Sequence, residues 1–221
     1  TRFKREPTTA KLMADLTAKA GVDRLVTWHP HTRQLSGFYD MPVDMLPALA
    51  YVTQTFQEFA GRDDVIVVAP DAGASKFVTY VARALDLRSA IASKHRPRPE
   101  EAIISEIIGD FEGRRVALIV DDMISSGGTI EAATKHLIEV SDIEEVHICV
   151  SHNLGMPQAH HRLEELRENY YLKRVVVTNS IPQSQQFLDL PYVHVHDLSE
   201  ILRHVIHRIH YHRSVDNLFA R

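Results

Sequence analysis

The chain of 221 residues contains one cysteine, Cys149, so no disulfide can form within it. That fits a protein of the reducing cytoplasm. Cys149 lies inside the apolar run Val146-His-Ile-Cys-Val150, where a thiol acts as a packing group. Long apolar runs are missing as well. Nothing reaches the roughly 20 residues that a membrane-crossing helix needs, and no leader pattern opens the sequence, so a membrane is not expected as a partner. Basic residues are in deficit: 25 Lys and Arg against 29 Asp and Glu leave a formal charge of -4. Such a surface has no cationic excess with which to neutralise nucleic-acid phosphates, so nucleic acid is excluded as a generic partner. Low-complexity tracts and short repeats are also absent.

What remains is an ordinary globular composition, 44% hydrophobic and 24% charged, long enough for one or two domains. Apolar and polar segments alternate at helix and strand lengths. The spacing predicts helices over 9–20, 46–59, 74–85, 129–140, 157–168 and 198–209, and strands over 25–28, 65–69, 90–92, 115–120, 145–150, 174–177 and 192–195. In the first helix Leu12, Met13, Leu16 and Ala20 recur at helical spacing. Residues 94–101 carry two prolines, Pro97 and Pro99, and read as a loop. Alternating strands and helices predict an α/β fold, a mostly parallel sheet with helices on both faces.

The most informative segment is Ala117-Leu-Ile-Val-Asp121-Asp122-Met-Ile-Ser125-Ser126-Gly127-Gly128-Thr129-Ile130. Its apolar start reads as a central strand. Asp121 and Asp122 then fall at the strand end, the edge where open α/β sheets bind ligands. Ser125 to Thr129 supply hydroxyls and closely spaced backbone N–H groups at a helix N-terminus, which suits a phosphate. Gly127 and Gly128 let an anion approach without a Cβ in the way. Paired acids beside a phosphate nest point to a polyhydroxylated phosphate ester.

This segment resembles the phosphoribosyl-pyrophosphate-binding motif shared by type I phosphoribosyltransferases and ribose-phosphate pyrophosphokinases. Four further segments, in the same chain order, resemble the pyrophosphokinases alone: Gln34-Leu-Ser-Gly-Phe-Tyr-Asp-Met-Pro-Val-Asp44, Val67-Val-Ala-Pro-Asp71-Ala-Gly73, Lys94-His-Arg96-Pro-Arg-Pro99 and Val177-Thr-Asn-Ser-Ile-Pro182. The resemblance runs from Arg5-Glu-Pro7 to Ser214-Val-Asp-Asn-Leu-Phe219. It implies a type I phosphoribosyltransferase-like sheet. It also implies two domains: residues 1–46 as the end of a first phosphoribosyltransferase-like domain, and 47–221 as a second one with the ribose-phosphate site.

The implied reaction moves the pyrophosphoryl group of ATP to the 1-hydroxyl of ribose 5-phosphate, giving phosphoribosyl pyrophosphate and AMP, with Mg²⁺ as cofactor. The implied binding partners are ribose 5-phosphate, ATP, phosphoribosyl pyrophosphate and phosphate, in a homo-oligomer. By the same resemblance Lys94 and Arg96 are the catalytic loop cations. Asp121, Asp122, Ser125, Ser126, Gly127, Gly128 and Thr129 bind ribose 5-phosphate. His31 and Asp71 serve the metal, and His29 is a further metal or ATP contact. Three positions depart from the family pattern. Ser125 stands where Asp is frequent, His95 where Arg is usual, and His29 where many members carry Asp. A neutral imidazole is a softer ligand than the carboxylate that Mg²⁺ prefers. His204, His207, His210 and His212 read as a polar helix face.

Family members also carry a large N-terminal portion with adenine-binding residues, and its motifs do not occur in these 221 residues. The chain opens on Thr1, and the expectation is a chain lacking most of that portion, with turnover on its own the property most exposed to the gap. Two alternatives stand beside the synthetase. A phosphoribosyltransferase explains the phosphate loop but not the segments at 34–44 and 94–99. A non-catalytic regulatory paralogue explains the missing adenine motifs but not the intact Asp121-Asp122 pair.

Overall fold

The computed structural model describes residues 9–98 and 101–219, the side chains of 94–98, 101–105 and 217 excepted. The chain divides into two compact units, up to Ala48 and from Leu49 onward.

In the first unit a helix, α1 (Thr9–Lys19), precedes two short strands, β1 (Leu25–Trp28) and β2 (Val43–Leu46). The strands pair in parallel with Leu25 opposite Val43 and Trp28 opposite Leu46. A 3-10 helix, Arg33–Phe38, lies between them, capped by the Thr32 hydroxyl. Arg24 holds Asp44 through two hydrogen bonds of 2.5 and 3.0 Å. The apolar stripe expected on α1 is present, but Leu12, Met13 and Leu16 are each about half exposed and Ala14 is the buried residue of the helix.

The second unit is built on a seven-stranded sheet. Its strands are β3 (Val65–Ala69), β4 (Arg88–Arg98), β5 (Glu101–Ile108), β6 (Val116–Ile124), β7 (Glu145–Asn153), β8 (Leu172–Thr178) and β9 (Val193–His196), in the order β5-β4-β3-β6-β7-β8-β9. Every neighbouring pair is parallel except β4 and β5. The helices are α2 (Leu49–Thr55), α3 (Ser75–Leu85), α4 (Gly128–Val140), α5 (Pro157–Asn169), α6 (Gln185–Leu188) and α7 (Ser199–His210). Val65 to Ala69 and Val116 to Val120 are wholly buried, as central parallel strands covered on both faces must be. One face packs Ile66, Val68, Ile119 and Ile148 against Leu137, Leu163, Leu166 and Phe187 of α4, α5 and α6. α2 and α3 pack on each other, and α3 lies against β3 and β4. The expected mostly parallel α/β sheet is therefore what the chain forms.

Four local expectations are corrected. The stretch 94–98 is not a loop. It continues β4 and pairs in antiparallel fashion with β5, a strand the sequence pattern did not reveal. Pairing of β4 with β3 stops at Ile91, so the rest of β4 needs partners on one side only, and Pro97 falls at a register shift between His95 and Arg98. Helix 46–59 shrinks to α2 and a 3-10 turn, Gln57–Phe59. Leu46 belongs to β2 instead, and the Thr53 and Thr55 hydroxyls bond back to the Leu49 and Tyr51 carbonyls, which weakens helix continuation. The short helix α6, capped by Ser184, was not foreseen. Asp121 and Asp122 lie within β6 and not at its end, because β7 goes on pairing with β6 as far as Ile124 and Asn153 after β3 has stopped at Ile119.

Candidate functional site

Strand order reverses between β3 and β6. From β3 the chain steps outward to β4 and β5, and from β6 it steps the other way to β7, β8 and β9. A reversal of this kind opens a crevice at the carboxyl ends of the two strands. Asp71 follows β3, and Asp121, Asp122 and the loop 125–129 follow the last β3-paired residue of β6. The fold thus gathers these predicted residues at one switch point.

Asp71 closes its own turn, its Oδ1 accepting the Gly73 N–H at 2.9 Å. A Cβ on Gly73 would sit 3.0 Å from that same oxygen, so glycine keeps the turn tight. The second Asp71 oxygen is left over from that turn. Asp121 accepts the Asp122 N–H at 2.9 Å. Burial, then the neighbouring Asp122 carboxylate, push Asp121 well above the usual carboxylate range, with Asp71 adding to the effect and the Asp122 N–H opposing it. Three acids crowded at a sheet edge invite a group that relieves their charge, either hydroxyl donors or a cation.

The loop 125–129 is held from behind. Gly127 precedes α4 with φ +80°, a left-handed conformation that disfavours a side chain, and a Cβ there would press 3.3 Å from Ala159 Cα on α5. The Ser125 hydroxyl donates to Met156 Sδ at 3.6 Å. Arg162 of α5 donates from Nη1 to the Ser126 carbonyl oxygen at 2.6 Å and pairs through Nε with Glu131 at 2.7 Å. Lys135 joins Glu131 at 2.9 Å to Glu165 at 2.5 Å, and both carboxylates hold it protonated above the ordinary lysine range. Nothing in the residue pattern marks Arg162: its contact crosses 36 residues and its helix carries charges of both signs.

Further along the same edge, Thr178 donates to the Ser151 carbonyl at 2.6 Å, and His152 Nδ1 meets Ser180 Oγ at 2.8 Å. Asn179 donates to Asp197 at 2.7 Å and accepts the Leu198 N–H at 2.9 Å. The segment 177–182, recognised in the sequence without an assigned role, organises the junction of β7, β8 and β9. At the C-terminus, Arg203 and His204 both turn to Glu200.

The remaining predicted residues are not brought into this arrangement by what the structure describes. His29, with φ +38°, and His31 belong to the first unit, just past β1. The backbones of Lys94 and Arg96 run in β4, and their side chains lie outside the described residues. Among the described residues, no group of three or more His, Cys, Asp or Glu side chains is placed to hold a metal ion. Asp71, Asp121 and Asp122 offer carboxylate oxygens, the donor type that a hard cation takes.

Fold and sequence together assign the chain to the phosphoribosyl transferase domain family, whose domain matches residues 49–188. Within that family its similarities point to one branch. The chain is 37% identical to the ribose-phosphate pyrophosphokinase of Clostridium acetobutylicum over 97% of its own length and 66% of the relative's. Ribose-phosphate pyrophosphokinase 1 of Listeria monocytogenes is also 37% identical, over 97% of this chain and 65% of the relative. The crystal structure of phosphoribosylpyrophosphate synthetase from Mycobacterium smegmatis superposes with a TM-score of 0.81 at 30% identity, over 95% of this chain and 66% of that one. The chain thus spans just under two thirds of the length of these relatives.

Proposed function

We propose that the chain is the sugar-phosphate-binding part of a ribose-phosphate pyrophosphokinase, a protein that transfers pyrophosphate from ATP to ribose 5-phosphate to give phosphoribosyl pyrophosphate and AMP for nucleotide biosynthesis. The observation that carries the reading is the switch point itself, with the Asp121–Asp122 pair of β6 running into the glycine-containing loop at the start of α4. Similarity to named pyrophosphokinases over 97% of the chain supports this reaction over base transfer.

In this account the loop 125–129 takes the 5-phosphate on backbone N–H groups and hydroxyls, aided by the positive end of the α4 dipole. Asp121 and Asp122 accept hydrogen bonds from the ribose hydroxyls, which fixes the sugar's orientation and hence the place of its 1-hydroxyl. Lys94 and Arg96 would neutralise charge on the transferred group, Lys as a point charge and Arg by holding two oxygens together. Mg²⁺ is the proposed cofactor. It would supply charge neutralisation of the ATP phosphates; Asp71 of the second unit is a proposed metal contact, and in the first unit His31 is proposed for the metal and His29 for metal or ATP. The protein is proposed to act in the cytoplasm as a homo-oligomer.

The reaction is tested by incubating the chain with ribose 5-phosphate, ATP and Mg²⁺ and following AMP and phosphoribosyl pyrophosphate. Equal amounts of both products establish the reading. Pyrophosphate release from phosphoribosyl pyrophosphate with adenine or orotate would replace it by a transferase. Ribose 5-phosphate binding without AMP would assign ATP chemistry to sequence beyond these residues, or to a partner of a non-catalytic paralogue.

A further inference from the structure

We propose that Arg162 is a positioning residue that fixes the Ser126–Gly127 peptide so that the Gly127 N–H faces a bound phosphate; the inference rests on the sugar-phosphate reading of the loop. A trans peptide points its carbonyl and its following N–H to opposite sides. Arg162 Nη1 holds the Ser126 carbonyl oxygen at 2.6 Å, on the side of the loop covered by α5, where Ala159 Cα lies 3.3 Å from the Cβ position of Gly127. The Gly127 N–H is therefore turned away from α5, the direction from which an anion would approach in this reading.

The need for such a lock follows from the sequence. Gly127 and Gly128 permit close approach, but a glycine pair places little steric barrier against a peptide flip. A flipped peptide would aim a carbonyl oxygen at the phosphate and replace attraction by repulsion. The guanidinium removes that alternative by giving the carbonyl a charged donor. Its own plane is set by Glu131, 2.7 Å from Nε, and Glu131 is in turn held by Lys135 at 2.9 Å. A lysine cannot make both contacts with the same fixed geometry.

The test compares the 221-residue chain with its Arg162→Met and Arg162→Lys variants. Calorimetry reads Kd for inorganic phosphate and ribose 5-phosphate, and amide NMR of the ligand-free proteins reads the Gly127 resonance. Arg162→Met is expected to weaken both ligands by at least about tenfold, the loss of one charge-assisted hydrogen bond, with Arg162→Lys intermediate. The free Gly127 amide is expected to shift or split in Arg162→Met. Unchanged affinities overturn the proposal. So does weakened binding with an unmoved Gly127 amide, which would make Arg162 a direct phosphate contact. If the unaltered chain binds neither ligand, the sugar-phosphate reading fails, and the ligand-free Gly127 spectra still decide whether Arg162 sets the peptide. Should Arg162→Met not fold, Arg162→Lys carries the same comparison.

Discussion

The Thr178 hydroxyl donates to the Ser151 carbonyl oxygen at 2.6 Å, and both residues are buried. The same hydroxyl accepts the Ser180 N–H at 3.2 Å, so one oxygen ties β8 to β7 and shapes the turn that follows. Thr178→Val keeps the shape and leaves the Ser151 carbonyl without this donor. The Ser180 hydroxyl still reaches that carbonyl at 3.3 Å, so we expect a loss of about 0.5–1.5 kcal/mol in urea unfolding, the net worth of one hydrogen bond. Affinity for ribose 5-phosphate should change less than about twofold, because the hydroxyl's bonds go to Ser151 and Ser180 and not to the loop proposed to take the phosphate. A large loss of affinity at unchanged stability would contradict this division.

Asp121 opposes folding when ionised. Its folded pKa lies well above the unfolded value, through burial first and the Asp122 carboxylate second. For an acid raised on folding, the cost is complete above the folded pKa and disappears below the unfolded one, near 4. Asp121→Asn should therefore be more stable than the unaltered chain at pH 7.5, and the gain should vanish near pH 4. Sugar-phosphate binding should be lost in the same variant. Denaturant curves at the two pH values check the sign, and lower stability at pH 7.5 would sink the argument.

His147 acts in the opposite pH window. Burial lowers its pKa, partly offset by Glu145, whose carboxylate lies 2.6 Å from Nε2, and Arg174 and Glu58 face it with opposed effects. A base lowered on folding is neutral in the folded chain and takes up a proton first when unfolded. Stability from this group is present above about pH 6.5 and falls as the pH drops toward the folded pKa. The Tm of the unaltered chain should decline relative to His147→Gln between pH 8 and 5.5. A constant difference across that range would show that the ring is not the titrating group.

Gly109 ends the β4–β5 hairpin against Ala90. A Cβ at 109 would lie 2.5 Å from Ala90 Cβ and 3.1 Å from Ala90 Cα, too close for either residue to keep its place. Gly109→Ala should cost about 1–3 kcal/mol as an overpacking defect. Adding Ala90→Gly should recover part of that, a non-additivity that a double-mutant cycle reads directly. Strict additivity of the two changes would place the clash elsewhere.

How much of this was legible in advance depended on the range of the interactions. Val65–Ala69 and Val116–Val120 read as buried strands because covering both faces of a parallel strand leaves no polar alternation. The segment 121–129 stood out because its acids, hydroxyls and glycines are contiguous. The β4–β5 hairpin was not: Pro97 argues against a strand except at an edge or a register shift, and neither can be known before the sheet is assembled. Arg162 escaped for a related reason. Nothing within its own helix marks it, and its meaning lies in a carbonyl on another element. The α1 stripe shows the converse, a periodicity read correctly whose residues Leu12, Met13 and Leu16 are nonetheless half exposed.

The central claim is that the switch point binds a sugar phosphate through the β6 acids and the loop before α4. Titration of ribose 5-phosphate into the chain, beside the Asp121→Asn/Asp122→Asn double variant, tests it most directly. We predict one site per chain, competed by inorganic phosphate, with affinity for ribose 5-phosphate lost in the double variant while weak phosphate binding remains. Ribose 5-phosphate binding equally to both proteins, or to neither, would contradict the account.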